Sequence, residues 1–219
     1  MGYKLLNKEE ITEVLNELEN TYPTPKCGLI YKNSFELLIS LILAAQCTDN
    51  RVNVIRPKLT NKYKTPKEIA KLDYKDVYDI IKSCSFPNNK AKNIINAAKK
   101  LENDFGGKVP NTMEELTQIP GIGRKSANII LSEIYNINEG IAVDTHVTRL
   151  SKKIGFTNNT DVIKIEKDLM KKVPKDKWGD INHILVEHGK TVCIAKRPKC
   201  NICEINKLCR EYKNTGALK

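Results

Sequence analysis

The chain has 219 residues, and its 37 Lys+Arg against 26 Asp+Glu give a net charge of +11, which favours a polyanionic partner such as nucleic acid. The length allows one large hydrophobic core or two small ones, and the longest nearly apolar run, Leu37–Ala45, is about half of what a bilayer requires. Seven cysteines, an odd number, and a charged N-terminal sequence argue against a secreted disulfide-bonded protein. We therefore expect a cytoplasmic protein that does not enter membranes.

Helical patterns follow one another along the chain. Asn7 is the predicted cap of a first helix, and Ser34 opens a second, strongly apolar one. Thr65 and Thr112 each precede a glutamate by three residues, which is the spacing of a capping box. Neither a sustained period-two alternation nor an Asn-Gly or Asp-Gly hairpin turn occurs, so the sequence predicts an all-α fold.

A turn with two glycines separates the Thr112 helix from the next one, over residues 119–125 (IPGIGRK). Gly121 and Gly123 permit a sharp turn, and the backbone N–H groups at the following helix start can bind a phosphate oxygen without reading base sequence. Such a turn is more often a plain connector. Its basic end, Arg124 and Lys125, favours a helix-hairpin-helix that binds phosphate.

Lys125 is also a candidate nucleophile. It falls in the first turn of a helix, where the helix dipole disfavours a cation, and it is next to Arg124. A deprotonated lysine can form a Schiff base with an aldehydic carbon. The alternative is a solvated surface charge, which is the commoner role of a lysine.

Four cysteines close to the end of the chain form the strongest motif: Cys193, Cys200, Cys203 and Cys209. Thiolates gathered this closely need a metal ion or an iron–sulfur cluster to hold them together. Only Cys200 and Cys203 have the spacing of a zinc knuckle, so a cluster is favoured while zinc stays open. The intervening Lys196, Arg197 and Lys199 form a basic loop suited to contact phosphates.

Four stretches occur together in the order found in one protein family: Leu43–Asp49, Pro120–Asn128, Val143–Val147 and the cysteine loop. With these motifs the chain resembles endonuclease III, the bifunctional DNA glycosylase and abasic-site lyase of base excision repair. The likeness covers about residues 7–210. Any one of the motifs is weak or moderate by itself, whereas all of them in this order are specific.

The resemblance implies a helix-hairpin-helix DNA glycosylase fold with two helical domains and a DNA-binding groove between them. A six-helix domain would cover residues 25–137. Residues 1–24 and 138–219 would form the second domain, which would hold a 4Fe–4S cluster on the four cysteines. The partner would be double-stranded DNA that contains damaged pyrimidines or abasic sites, and the protein is expected to be a monomer.

The resemblance also implies roles for single residues. Lys125 would attack the sugar C1′ atom and lead to β-elimination, and Asp144 would stabilise positive charge on the sugar. Asp144 is equally well placed as the N-cap of the following helix, and both roles are compatible. Gln46 would fill the gap left by an extruded nucleotide, and His146 would contact DNA or pack at the edge of the pocket.

One region departs from the family. Where relatives have a glycine-containing loop that wedges into the opposite strand, this chain reads Ser83–Lys90 (SCSFPNNK), so the shape of that wedge stays open. The related adenine glycosylases lack the lysine of the hairpin and carry a glutamate where Leu37–Ala45 has no acidic residue. A monofunctional mismatch or uracil glycosylase and a non-catalytic DNA-binding module remain as alternatives.

Overall fold

The structure is a computed structural model and describes residues 4–215. These residues form α-helices and two short 3-10 turns and contain no β-strand, which confirms the all-α prediction. They divide into a central unit, Cys27–Glu139, and a terminal unit, made of the described residues before Cys27 and after Glu139. No helix within the described part of the chain is long and apolar enough to cross a membrane.

The α-helices are numbered in chain order. They are α1 Lys8–Thr21, α2 Ser34–Ala44, α3 Asp49–Thr60, α4 Pro66–Ile69, α5 Tyr74–Ile81, α6 Pro87–Phe105, α7 Met113–Thr117, α8 Arg124–Tyr135, α9 Thr145–Ile154, α10 Val162–Met170, α11 Trp178–Thr191 and α12 Arg210–Thr215. Helices α2 to α8 belong to the central unit, and the others to the terminal unit.

Helix α2 forms the middle of the central unit. Its residues from Phe35 to Leu43 are all buried, because α3, α6 and α8 pack around it. A helix that is apolar on every side can exist in water only when it is enclosed in this way. Its Glu36 forms a buried ion pair with Arg56 of α3, with 2.6 Å between the charged atoms. The start of α2 is thereby tied to α3 through a contact in the interior.

Helix α1 packs with the helices that follow Glu139. One cluster of buried residues runs through α1, α9, α10 and α11: Leu6, Ile11, Val14, Leu15, Leu18, Ile141, Val147, Leu150, Ile154, Phe156, Ile165, Leu169, Val173, Trp178, Ile181, Ile184, Leu185 and Ile205. The backbone N–H of Leu6 donates to the carbonyl of Gly155 at 3.1 Å. The N-terminal helix is thus an integral part of the core of the terminal unit.

The predicted helix caps are largely confirmed. Asn7 and Thr65 each form a full capping box with the glutamate three residues later. Thr112 accepts from the backbone of Glu115, but that glutamate side chain bonds to the Thr112 hydroxyl instead of returning to the backbone. The helix after Thr112 has five residues, and a helix this short depends on packing against α8 for its stability.

The Ser83–Lys90 segment is only partly a loop. Helix α6 begins at Pro87, so Asn88 to Lys90 are helical. Proline suits the first helical position, because its fixed φ matches the helix and its missing N–H would have had no partner there. Phe86 precedes it in the left-handed backbone region, which costs a residue with a side chain about 1–3 kcal/mol. The predicted wedge loop therefore ends in a strained residue at a helix start.

Candidate functional site

The turn between α7 and α8 is held by two buried isoleucines, Ile119 and Ile122. Gly121 has φ +86°, and a Cβ atom there would lie 3.2 Å from side-chain atoms of Asn93 and Ile42. Gly123, the N-cap of α8, has φ −100°, and a Cβ atom there would meet nothing within 4 Å. Gly121 is thus required by the backbone and by space, whereas Gly123 leaves open space at the helix start.

Arg124 and Lys125 are the first two residues of α8, and both are exposed. The ammonium group of Lys125 is near the thiol of Cys27: burial raises the pKa of that thiol to about 11, and Lys125 acts against the shift. The carboxylates of Asp49 and Glu133 act on the same thiol in the opposite sense. The raised pKa keeps Cys27 protonated at neutral pH, so this thiol is not a nucleophile beside Lys125.

Asp144 is the N-cap of α9, as the sequence predicted. Its Oδ1 atom accepts a hydrogen bond from the backbone N–H of Val147 at 2.8 Å. The side chain is half-buried, and this bond fixes the direction of the carboxylate. A negative charge at this end of α9 is also favoured by the helix dipole. The structure thus presents a positioned carboxylate at the start of the helix.

His146 is held by the close approach of α9 to α11. A Cβ atom on Gly189 would lie 2.5 Å from Nδ1 of His146, so only glycine fits at that position of α11. Within the part of the chain that the structure describes, Nδ1 is buried and has no hydrogen-bond partner. The Nδ1 edge of the His146 ring therefore packs against α11. A DNA contact through His146 stays a prediction.

The remaining predicted binding residues are accessible. Gln46 lies between α2 and α3, and its side chain is exposed. Lys196, Arg197 and Lys199 are exposed in the loop that follows Cys193. The side chains of this loop are thus available to a polyanion.

The four clustered cysteines line one small cavity in the terminal unit. Apolar side chains enclose it: Ile154, Val192, Pro198 and Ile205. Burial raises the pKa of the Cys203 thiol to about 12 and also raises the pKa of the Cys193 and Cys209 thiols. A positively charged metal or cluster is needed to hold these sulfurs as thiolates, which is the donor chemistry of an iron–sulfur site.

The four cysteines share one cavity, so their sulfurs form one set of donors. Four thiolates are the donor set of an iron–sulfur cluster and also of a structural zinc ion. Within the described residues, no three His, Cys, Asp or Glu side chains already form a site for a single metal ion.

Two contacts to the cysteines were missed by the sequence analysis. Arg149 donates to the carbonyl of Cys193 at 2.6 Å and lies 3.7 Å from its Sγ atom. His188 Nε2 is 3.7 Å from Sγ of Cys203, while its Nδ1 is 3.0 Å from the hydroxyl of Tyr22. Burial raises the pKa of the Cys193 thiol, but Arg149 acts to lower it and so favours the thiolate, and the contacts with Tyr22 and Cys203 fix the ring of His188. The residues in these contacts lie far apart in the chain, so no local sequence motif predicts the contacts.

Residues 39–175 match the family model of the HhH-GPD superfamily of base excision DNA repair proteins. The chain is 43% identical to endonuclease III of Synechocystis sp. over 202 residues, which are 92% of each chain. It is 40% identical to endonuclease III of Bacillus subtilis over 208 residues, or 94% of each.

Solved structures show the same relationship. A trapped endonuclease III–DNA covalent intermediate matches with a TM-score of 0.91 at 38% identity and covers 96% of this chain and 99% of that one. A thermostable thymine-DNA glycosylase matches with a TM-score of 0.84 at 22% identity, covering 94% and 98%, and this likeness concerns the fold alone.

Proposed function

We propose catalytic and DNA-binding roles for single residues of this chain. The chain belongs to the endonuclease III family of the HhH-GPD superfamily of base excision DNA repair proteins. The predicted family and fold are thereby confirmed. The protein is an enzyme with two activities, a DNA N-glycosylase and an abasic-site lyase. The observation that carries the assignment of residues is Lys125 at the start of α8, directly behind the glycine turn, in a chain similar to endonuclease III over nearly its whole length.

Lys125 is the nucleophile. Its amine attacks C1′ of the damaged nucleotide as the glycosidic bond breaks, and the base leaves with the bonding electrons and takes up a proton. Opening of the sugar ring gives an imine between Lys125 and C1′. Removal of a proton from C2′ then expels the 3′ phosphate by β-elimination, and hydrolysis of the imine releases the lysine. The exposed position of Lys125 supports this role, because the sugar must reach the amine.

Asp144 stabilises the positive charge that develops on the sugar as the base departs. A carboxylate does this well only when its direction is set before the reaction. The hydrogen bond from the Val147 backbone to Oδ1 of Asp144 supplies that orientation. The cap of α9 and the catalytic carboxylate are then the same group.

DNA is bound through its phosphates and at the gap left by the extruded nucleotide. The N–H groups at the start of α8, next to Gly123 and Arg124, bind phosphate in the central unit. The exposed cations of residues 194–199 bind phosphate in the terminal unit. Gln46 and Phe86 enter the base stack, because both are exposed and one is aromatic. We expect the enzyme to act in the cytoplasm, on the chromosome, and as a monomer.

A 4Fe–4S cluster is held by Cys193, Cys200, Cys203 and Cys209. When bound it supplies structural and electrostatic support and no step of the chemistry. The cavity that these four residues line supports this proposal, because it gathers the four sulfur donors that such a cluster needs. Zinc remains the second candidate, favoured only by the close spacing of Cys200 and Cys203.

The preferred substrates are oxidised and ring-saturated pyrimidines. The test is a set of duplexes that carry thymine glycol, dihydrouracil, uracil, 8-oxoguanine or an abasic site. Release of the first two bases and cleavage at the abasic site are expected, with little release of 8-oxoguanine. Cleavage restricted to the abasic site would contradict the proposed glycosylase substrates.

The two hairpin glycines predict a contrast. Gly121→Ala forces a side chain into the left-handed region and against Ile42, so we expect a loss of stability of about 1–2 kcal/mol and a melting temperature lower by about 2–6 °C. Gly123→Ala has open space and should leave the melting temperature unchanged within about 1–2 °C. The added methyl group lies at the proposed phosphate site, however, so Gly123→Ala should weaken DNA binding. Unchanged affinity in Gly123→Ala would argue against that site.

The cluster proposed for the cavity of the four cysteines leads to a prediction about the metal content of the protein. Purified protein should contain iron and acid-labile sulfide in equal amounts, and Cys203→Ser should lose both. Cys27→Ser is the matched control, because Cys27 lies in the central unit and should not affect the iron content. Zinc without sulfide in the unaltered protein would overturn the cluster assignment and leave the cysteine ligands in place.

A further inference from the structure

Two turns of the central unit place non-glycine residues in the left-handed backbone region. Gln46, between α2 and α3, has φ 53°, and Phe86, directly before α6, has φ 52°. Of the other described non-glycine residues, only Asn136 shares this conformation, at the end of α8, where such residues are common. A phenylalanine in this region is strained, so its surroundings must hold it there. We call the turns at Gln46 and Phe86 the paired turns.

The side chain of Ser85 connects the two paired turns by a hydrogen bond. Its hydroxyl donates a hydrogen bond to the backbone carbonyl of Gln46 at 2.5 Å, although the two residues are 39 positions apart in the chain. Ser85 is also the residue next to Phe86. The neighbouring Ser83 adds a second connection, since its backbone carbonyl accepts from Nε of Arg51 on α3 at 3.3 Å. The strained conformations are therefore coupled through one side chain.

A buried lysine lies behind Ser85. Lys90, in α6, is only 3% exposed, and its Nζ atom donates to the Ser85 hydroxyl oxygen at 3.3 Å. The thiols of Cys47 and Cys84 are the other groups that act on this amine, and burial lowers its pKa. Because Lys90 uses the Ser85 oxygen as an acceptor, the Ser85 proton is left to point at Gln46. The two hydrogen bonds thus run in one direction, from the amine to the hydroxyl to the carbonyl.

The paired turns expose two different kinds of side chain. Phe86 is 58% exposed, which is unusual for a phenylalanine at a helix start. Gln46 exposes an amide that can both donate and accept hydrogen bonds. An aromatic ring stacks on a nucleobase, and an amide bonds to base edges that have lost their partner. A protein that opens a base stack gains from side chains fixed in advance, because ordering them during binding opposes the process.

We propose that Ser85 and Lys90 are positioning residues that hold the paired turns as one preformed wedge for the DNA base stack. The inference rests on the proposed function, since it requires that a nucleotide be extruded. Neither residue contacts the reacting atoms. Their effect lies on the rate of extrusion and much less on the affinity for DNA.

The test uses a duplex with the fluorescent base 2-aminopurine opposite a tetrahydrofuran abasic-site analogue, which the enzyme binds but cannot cleave. The fluorescence rises when the orphan base leaves the stack, and stopped-flow mixing gives the rate. Ser85→Ala should slow this rise about five- to tenfold, the effect of one lost hydrogen bond. Ser85→Thr keeps the hydroxyl and should keep the rate. Ser83→Ala, whose carbonyl remains, is the matched control.

A folded Ser85→Ala protein with the unaltered rate overturns the inference. If Ser85→Ala does not fold, Lys90→Met serves in its place, because methionine fills the same buried space without the amine. A slowed rise in Lys90→Met supports the positioning role of Lys90 and Ser85, and an unaltered rise overturns it. If the unaltered protein binds this duplex and gives no rise, the orphan base stays stacked and the proposed wedge is rejected. Base release and cleavage at abasic sites then still test the proposed function.

Discussion

Replacing Lys125 with glutamine is expected to abolish strand cleavage and covalent trapping while the protein still folds and binds DNA. Glutamine lacks a nucleophilic amine, so no imine can form, and cleavage at an abasic site should fall by roughly 10³-fold or more. The side chain is exposed at the start of α8, so the stability should change by less than about 0.5 kcal/mol. The measurement is borohydride trapping of the enzyme on a duplex with one abasic site.

Arg124→Gln is the matched control for this experiment, because it makes the same substitution one position earlier and leaves the amine of Lys125 in place. It should weaken DNA binding and retain the trapped band. A trapped band that persists in Lys125→Gln would show that another amine forms the imine. If Lys125→Gln lost both the trapped band and DNA binding, the catalytic assignment would be unsupported, because the variant would no longer bind the sugar.

Asp144→Asn separates the two roles of Asp144. Asparagine caps a helix as well as aspartate does, so the bond to Val147 and the stability of α9 should be kept. The negative charge is lost, and base release should slow by about 10²–10³-fold, the usual effect of removing one preorganised electrostatic group. The measurement is single-turnover release of thymine glycol from a duplex. Cleavage of a preformed abasic site should slow less, because the glycosidic bond is already broken there.

Asp161 provides the control for this prediction. It caps α10 through the N–H groups of Ile163 and Lys164, at 3.1 Å and 2.9 Å, and it belongs to the same unit as Asp144. Asp161→Asn should therefore behave as the unaltered enzyme in both assays. Full activity in Asp144→Asn would mean that the carboxylate acts only as a helix cap.

Much of the local structure could be predicted because it is coded by neighbouring residues. The caps at Asn7, Thr65 and Asp144 need only a polar side chain and a backbone N–H three residues away. The left-handed turn at Gly121 follows from the absence of a Cβ atom. These features depend on bonds within a few residues, so a single sequence is enough to identify them.

Other features needed the folded chain. Lys90 looks like one more surface lysine in the sequence, yet α6 carries it into the interior behind Ser85. Tyr22 and His188 meet over a separation of 166 residues, which no spacing rule relates. The helical start at Pro87 was also missed, because the segment was compared with a loop of the relatives.

By itself the sequence determined the all-α class, the family, the hairpin with Lys125, the capping carboxylate of Asp144 and the set of four cysteines. Only the tertiary structure decided which side chains lie behind these groups and hold them: Ser85 and Lys90 at the paired turns, and His188 with Tyr22 at Cys203. The physical reason is that a motif is a matter of covalent spacing, whereas a supporting contact exists only when packing brings distant helices together and removes water from the groups between them.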